Sequence, residues 1–474
     1  MANQNEQIEP NRSGTNGAVP DRQAYFIFGI VALALLMASI DATIVAVSLP
    51  TLLVDLRTNL AWVSWTMTGY QFSQSIAMPM AGKLSDEWGR KRLFIIAAAV
   101  FTASSIAAGL APNVYWLIVF RVIQGLGGGA FLPSATGIIS DAFGVRRTTA
   151  IGLFSSIFPI GGILGPNIGG FIIDHFSWRW IFFVNVPIGL ALILLGLLVL
   201  PKGNIAAVSR RIDAVGAGLF SGAILSVLYA LTSWANRPEG IEAMTLVFFA
   251  VGAGLLVILV WYEGRAEQPM IDLALVRARP FLAVNIFNLV LGAAIFGFFS
   301  FIPYYATVAY GMTAGQSGLV LTPRSLAMMI TSAVSSFLII RLRYRLPMII
   351  GLVIMAASLF LLGQGYHSES MLGFNLGDLA LLATLVMLGG IGMGIANPAA
   401  NNAALDLLPD KIAVVAGLRG MFRSVGGVLG TAAVALALSR ASDKAQGLET
   451  IFVVLGFLLL LLIPVVFLIP DKTR

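Results

Sequence analysis

Five ionisable side chains fall inside long apolar stretches of this sequence: Asp41, Arg121, Arg324, Arg419 and Arg423. A charged group at the centre of a bilayer costs about 2.5–3.5 kcal/mol on insertion scales, so such residues are kept for a purpose. Asp41 is the one carboxylate set well within an apolar run. It lies nine residues before Pro50, and Arg121 lies nine residues after Pro112. At 1.5 Å per residue both sit roughly 13 Å in from the same face, so they share a level. Burial disfavours a carboxylate and a nearby guanidinium restores it. A group balanced in this way takes up a proton on one side and gives it up on the other when its surroundings change. The plainer reading is a static Asp41–Arg121 ion pair; the proton carrier is favoured because isolated membrane carboxylates are usually functional.

The three remaining arginines lie in the second half. Arg419 and Arg423 are four apart and share a helix face. They either attract an anionic group or donate to open backbone carbonyls. Arg324 follows Pro323 and can fill the carbonyl that the proline frees. In-span arginines outnumber acids four to one, which keeps an anionic substrate open. Gln71, Gln74, Asn285, Asn288, Asn397 and Asn401 are polar groups within apolar runs, able to contact a solute or to join helices. Phe296 belongs to an aromatic run that lines an apolar pocket or faces lipid. His175 and His367 sit at or beyond the ends of apolar runs, and no nucleophile–base spacing or His/Glu cluster is visible. With no cysteine there is no thiolate and no disulfide, and no metal site or cofactor is expected.

These residues need a scaffold that crosses a membrane many times. The chain of 474 residues is 58% hydrophobic and 11% charged, against about 25% charged in soluble domains. Apolar runs of about 20 residues recur along nearly its whole length, as helices rather than barrel strands require. The reading is an all-α integral membrane protein of fourteen spans: 25–49, 61–81, 93–111, 114–138, 149–173, 180–200, 213–234, 241–262, 281–309, 316–340, 347–365, 378–405, 412–439 and 450–469. An even number places both termini on one side. With that side cytoplasmic, 20 of the 29 basic residues face the cytoplasm and five face out, the remaining four lying in spans. The net charge of +7 therefore reflects topology, not nucleic acid.

A shift of 265 residues lays Gly125, Gly127, Gly129, Pro133 and Asp141 on Gly390, Gly392, Gly394, Pro398 and Asp406. Gly161, Gly162 and Gly165 fall likewise on Gly426, Gly427 and Gly430. The organisation is 6+2+6: a cytoplasmic tail (1–24), a six-helix bundle (25–200), an inserted helix pair with linkers (201–265) and a second bundle (266–474). Repeated halves around a central site are a common design of secondary transporters. Gly161, Gly165 and Gly169 form a ridge that lets helices approach closely.

The chain resembles the major facilitator superfamily, and within it the fourteen-span drug:proton antiporter branch. Gly82-Lys83-Leu84-Ser85-Asp86-Glu87-Trp88-Gly89-Arg90-Lys91-Arg92 is similar to that family's motif A. Leu117, Arg121, Gln124, Gly125 and Gly127 are similar to its motif B. Gly161, Gly165, Pro166, Gly169 and Gly170 are similar to the antiporter motif. Asp41 to Pro50 resembles the branch's first-span motif, and Trp178 to Gly189, with Asn185, looks like it too. The resemblance implies that Asp41 is the proton site, tuned by Arg121. It implies that Gly82, Asp86, Gly89 and Arg90 form a cytoplasmic latch and that Gly165 and Pro166 shape a sealing interface. Gln124 joins the candidate cavity. Glu87 stands where a basic residue is usual, Ala46 where Asn is usual, and no second membrane acid is present. The expectation is a multi-pass protein of the inner membrane, not an enzyme, acting as a monomer. Protons entering down their gradient drive a hydrophobic or amphiphilic compound out. A lipid translocase of the same fold and an uncoupled facilitator are the alternatives.

Overall fold

A computed structural model describes residues 21–144, 150, 153–154, 157–201, 213–237, 240–266, 271, 273–367, 370–371, 374–375, 377–407 and 412–471. Among these, fourteen long helices carry the chain. In the first half they are α1 (Asp21–Ile44), α2 (Trp65–Trp88), α3 (Arg90–Gly109), α4 (Val114–Phe143), α5 (Ile157–His175) and α6 (Asn185–Val199). Two follow between the halves, α7 (Ala214–Ala235) and α8 (Ala243–Glu263). The second half contains α9 (Arg279–Gly292), α10 (Ala314–Leu342), α11 (Arg345–Leu362), α12 (Asp378–Leu407), α13 (Ile412–Arg440) and α14 (Lys444–Leu460). The described strands are one two-residue antiparallel pair, Ser370–Met371 with Phe374–Asn375.

Among the described residues, twelve spans are long and apolar enough to cross a membrane. The two long helices outside that set are α2 and α10, which hold equivalent places in the two halves. Both have the length and lack the apolarity. In α2 the polar residues Thr66, Thr68, Gln71, Ser73 and Ser75 are turned inward and buried. The hydroxyls of Thr66, Thr68, Ser73 and Ser75 donate to carbonyls three or four residues back, on Val63, Ser64, Tyr70 and Phe72, so they need no water.

The repeat read in the sequence reappears as a repeat of packing. α1 lies on α5 as α9 lies on α13; α2 on α4 as α10 on α12; α3 on α4 as α11 on α12; α3 on α6 as α11 on α14. The matched glycines explain this. A Cβ at Gly125 would run into the Tyr70 carbonyl and the Ser73 hydroxyl of α2, and one at Gly390 into the Arg324 carbonyl of α10. Two further seams join the halves, α5 with α10 and α2 with α13, and these are also repeat mates.

Several elements differ from the sequence reading. Gly82 to Trp88 continue α2 rather than forming a loop, since nothing breaks the helix before Gly89, at φ 88°. The ninth span is not one regular helix: α9 passes through a π-helical stretch (Ala293–Phe298) before Ile302–Tyr310. α7 packs on α13, its Thr232 hydroxyl oxygen accepts from Trp65 Nε1 (2.7 Å), and the Trp234 and Arg237 carbonyls at its end accept from Arg440 Nη2 (3.0 and 3.1 Å). It therefore touches both halves, whereas α8 is mostly exposed.

Candidate functional site

Asp41 comes from α1, just before the chain tightens into a 3-10 turn (Val45–Ser48). It is fully buried. Arg121 Nη1 donates to Asp41 Oδ2 at 2.6 Å. Asp41 Oδ1 accepts from Gln124 Nε2 at 2.9 Å and from Asn185 Nδ2 at 2.8 Å. Arg121 and Gln124 are neighbours on one face of α4, and Asn185 opens α6. The network closes on itself. Arg121 donates from Nη1 to Gln124 Oε1 (2.7 Å) and from Nε to the Thr66 carbonyl (2.9 Å). Ser105 Oγ of α3 accepts from Gln124 and Asn185, both at 3.1 Å, and donates to the Phe182 carbonyl at 2.9 Å. The Arg121 guanidinium stacks on the Tyr70 ring, 4.1 Å from its centroid. Tyr70, Ser105, Gln124 and Asn185 are all buried with it.

Five helices thus converge on one carboxylate. Such a pair is costly to break one-sidedly, by about 3–5 kcal/mol, because the survivor is a buried charge without a partner. Chemically, a proton on Asp41 cancels its charge and competes with three donors. Exchange with water needs the helices to part.

The motif-A residues sit at the opposite end of α2. Gly82 is half-buried in that helix; the side chain of Asp86 lies outside the described residues. Gly89 makes the turn into α3. Arg90 donates to the Gly137 carbonyl (2.7 Å) and pairs with Asp141, both on α4. In the second half Asp406 takes the place of Asp141, and its partner is the Tyr344 hydroxyl. Arg345, which starts α11 as Arg90 starts α3, donates instead to the Ile469 and Phe467 carbonyls.

The antiporter-motif residues give α5 two faces. Gly161, Gly165 and Gly169 are covered by Ser39, Thr43 and Ile44 of α1. Gly170 and Pro166 meet α10 at Ala314 and Gly318. Pro166 has no N–H, which leaves the Gly162 carbonyl free. Ser325 Oγ of α10 donates to it at 3.4 Å. The same seam is held by Asn167 Nδ2 donating to Thr322 Oγ1 (2.7 Å) and by Asp174, which accepts from Thr313 Oγ1 (3.0 Å) and from the Ala314 and Gly315 amides (3.1 and 2.8 Å).

Most of the remaining polar residues belong to the second half, with Gln71 and Gln74 on α2 of the first. Arg423 Nη1 of α13 donates to Asn397 Oδ1 of α12 at 3.1 Å. The Arg324 guanidinium lies over Phe299, 4.4 Å from its centroid, and Nη2 reaches Ser325 Oγ at 3.4 Å, so it does not fill the carbonyl freed by Pro323. Asn285 and Asn288 of α9 are fully buried and donate to the Phe281 and Val284 carbonyls (2.9 and 2.8 Å). Phe296 packs against Gly427, Asn401 is half-buried, and Gln74 lends its backbone to the Gly129 crossing. Gln71 is buried with Oε1 unpartnered. Gln124 falls in the Asp41 network rather than beside these groups. Sequence reasoning passed over Ser105, Tyr70 and Asp174, and quoted Asn185 without assigning it to the carboxylate; Asn185 had a signal in its motif, the others none.

A family model described as Major Facilitator Superfamily matches residues 31–431, with an overlapping match over 284–474. The Multidrug resistance protein B homolog of Mycobacterium tuberculosis (strain ATCC 25618 / H37Rv) is 32% identical over 430 residues, covering 89% of this chain and 77% of that protein. The Tetracenomycin C resistance and export protein of Streptomyces glaucescens is 31% identical, covering 87% and 76%. The multidrug transporter protein MdtP of Bacillus subtilis (strain 168) is 29% identical, covering 86% and 74%. Among solved structures, a POT family transporter bound to a thioalcohol-conjugated peptide matches with a TM-score of 0.65 at 15% identity, covering 93% of this chain and 96% of that one. The inward-open xylose transporter XylE of E. coli matches with 0.59 at 12%, covering 92% and 96%. Both likenesses concern the fold alone.

Proposed function

This chain belongs to the Major Facilitator Superfamily, and we propose that it is a proton-driven exporter of hydrophobic or amphiphilic compounds. The observation that carries the reading is the buried Asp41 carboxylate, balanced by Arg121, Gln124 and Asn185. Three relatives at about 30% identity, a multidrug resistance protein homolog, a multidrug transporter and a tetracenomycin C resistance and export protein, support the substrate class. α2 and α10 count as spans in this reading, giving fourteen, with both termini cytoplasmic in an inner membrane and the working unit a monomer.

The mechanism is alternating access. The halves rock about the two repeat-related seams, α5–α10 and α2–α13. When the outer seam parts, Asp41 meets outside water and takes a proton, which weakens its hold on Arg121. When the inner side opens, Arg121 and the two amides draw the carboxylate back to its charged form and the proton leaves inward. Each proton entering supplies about 2.3 kcal/mol per 100 mV. The Arg90–Asp141 and Tyr344–Asp406 pairs, together with Asp86, set the balance on the inner side.

Everted vesicles energised to be acid inside test this. Lipophilic cations, neutral drugs and amphiphilic anions are added in turn and the pH gradient is followed. A gradient collapse elicited by one of these compounds, and absent from vesicles lacking the protein, is the expected result. If no compound moves protons, the antiport reading fails, and net movement of labelled lipid or of compound down its own gradient identifies the translocase or facilitator.

A further inference from the structure

We propose that the second half carries a binding site for an anionic head group, so that the exported amphiphile is an acid; this rests on the export reading above. Around Asp41 each donor of Arg121 and Gln124 described above finds an acceptor within the network. Among the described residues of the second half, two arginine nitrogens are buried without a partner, Arg324 Nε and Arg419 Nε. Buried donors are rarely left so, and an anionic acceptor would satisfy them.

The charges point the same way. Arg419 and Arg423 stand one turn apart on α13, where like charges repel. Arg423 has an amide, Asn397, rather than a carboxylate beside it, and Arg324 has a ring and a hydroxyl. Among the described residues no ion pair involves any of the three. Acids of this half lie towards helix ends, Asp406 with Tyr344 and Glu449 with Tyr305 (3.1 Å), and Asp378 opens α12. Three guanidiniums at membrane depth without a counter-charge are costly unless an anion joins them in the working cycle. There is room: a Cβ at Gly420, one turn from Arg423, would meet nothing within 4 Å. The π-helical stretch Ala293–Phe298 starts directly after Gly292, where a Cβ would meet the Arg423 carbonyl; such stretches recur at functional sites.

A guanidinium binds a carboxylate, sulfonate or phosphate by charge-assisted hydrogen bonds. The anion can belong to a soluble amphiphile or to a lipid. Export of an anion against entry of a proton moves positive charge inward twice, so the membrane potential drives both steps.

The test is binding, which needs no transport. The full chain is purified in detergent, and pyrenebutanoate, its neutral amide and its trimethylammonium analogue are titrated by fluorescence anisotropy. The anion is expected to bind about tenfold or more tightly than the cation, the scale of a charged hydrogen bond. Arg419→Gln and Arg423→Gln should erase that preference, and Arg423→Lys should keep part of it. The Lys variant decides the matter if the Gln variants elute as aggregates. Asp41→Asn should leave the preference intact, so failure of the proton reading is seen separately. Competition by phosphatidylglycerol in nanodiscs, against phosphatidylcholine alone, assigns the anionic group to a lipid; its absence assigns it to a soluble amphiphile. Equal or tighter binding of the cation, or a preference that survives both Gln variants, overturns the proposal.

Discussion

The carboxylate of Asp174, at the end of α5, accepts from the Thr313 hydroxyl at 3.0 Å and from the first two amides of α10. It caps a helix of the other half. An N-cap acid contributes about 1 kcal/mol, and this one is exposed, so its share is at the lower end. Asp174→Ala is expected to open the outer seam several-fold more often. The chain has no cysteine, so a single Ser325→Cys reports this directly. Its labelling by an impermeant maleimide from outside should speed up in the Asp174→Ala background. An unchanged rate means that the cap does not hold the seam.

Asn185 is the donor to Asp41 that composition alone does not pick out. Asn185→Leu fills similar space and leaves Asp41 Oδ1 with Gln124 alone. A hydrogen bond to a buried charge is worth about 1.5–3 kcal/mol, so the thermal unfolding temperature in detergent should fall by several degrees. Uphill export should fall with it. A variant that unfolds like the parent shows that Gln124 suffices.

Asp141 and Asp406 occupy equivalent places yet hold unlike partners. Arg90–Asp141 is a half-exposed ion pair, worth less than about 1 kcal/mol and screened by salt. Tyr344 is neutral, and its hydroxyl is held protonated beyond its ordinary value of 10.0, first by burial, then by the hydrogen bond to Asp406 and by that residue's charge. A raised value means that the contribution is full below the unfolded-state value and is lost as pH rises through the folded one. Double-mutant cycles should therefore show Arg90–Asp141 coupling vanishing in 1 M salt at neutral pH. Tyr344–Asp406 coupling should withstand salt and fade only above pH 10. Equal salt sensitivity in the two pairs contradicts the assignment.

Gly165 and Gly162 are three residues apart and face different neighbours. A Cβ at Gly165 would collide with the Thr43 hydroxyl and lie 2.8 Å from the Ile40 carbonyl; at Gly162 the nearest atom is Ser325 Oγ at 3.9 Å. Gly165→Ala should lose about 1–3 kcal/mol by overpacking. Gly162→Ala should be neutral or gain up to about 1 kcal/mol from helix propensity. Unfolding in detergent separates them, and the reverse order rules out the α1–α5 contact as the reason for the ridge.

Much of this was legible in the sequence because membrane solvent makes polarity conspicuous. Asp41 and Arg121 stand out against apolar runs, and counting residues from Pro50 and Pro112 puts them on one level, where the structure joins them. Glycine spacing carries the repeat because helices cross closely only where a Cβ is missing. What stayed hidden depends on rotation and partner choice. Gln124 reads as a cavity group by type and belongs to the carboxylate by its position on α4. The π-helical turn of α9 has no compositional mark. The inserted α7 reaches α2 and α13 through Thr232 and Arg440, contacts between residues some 170 and 200 apart in sequence that no local pattern announces.

The most direct test of the central claim is proton release on substrate binding. Purified protein in weakly buffered detergent, with a pH-sensitive dye, is mixed with a compound that collapses the vesicle gradient. The account predicts a proton released per bound molecule from the parent chain and none from Asp41→Asn, which still binds. Release of equal size from Asp41→Asn would contradict it and move the exchanging proton to another group.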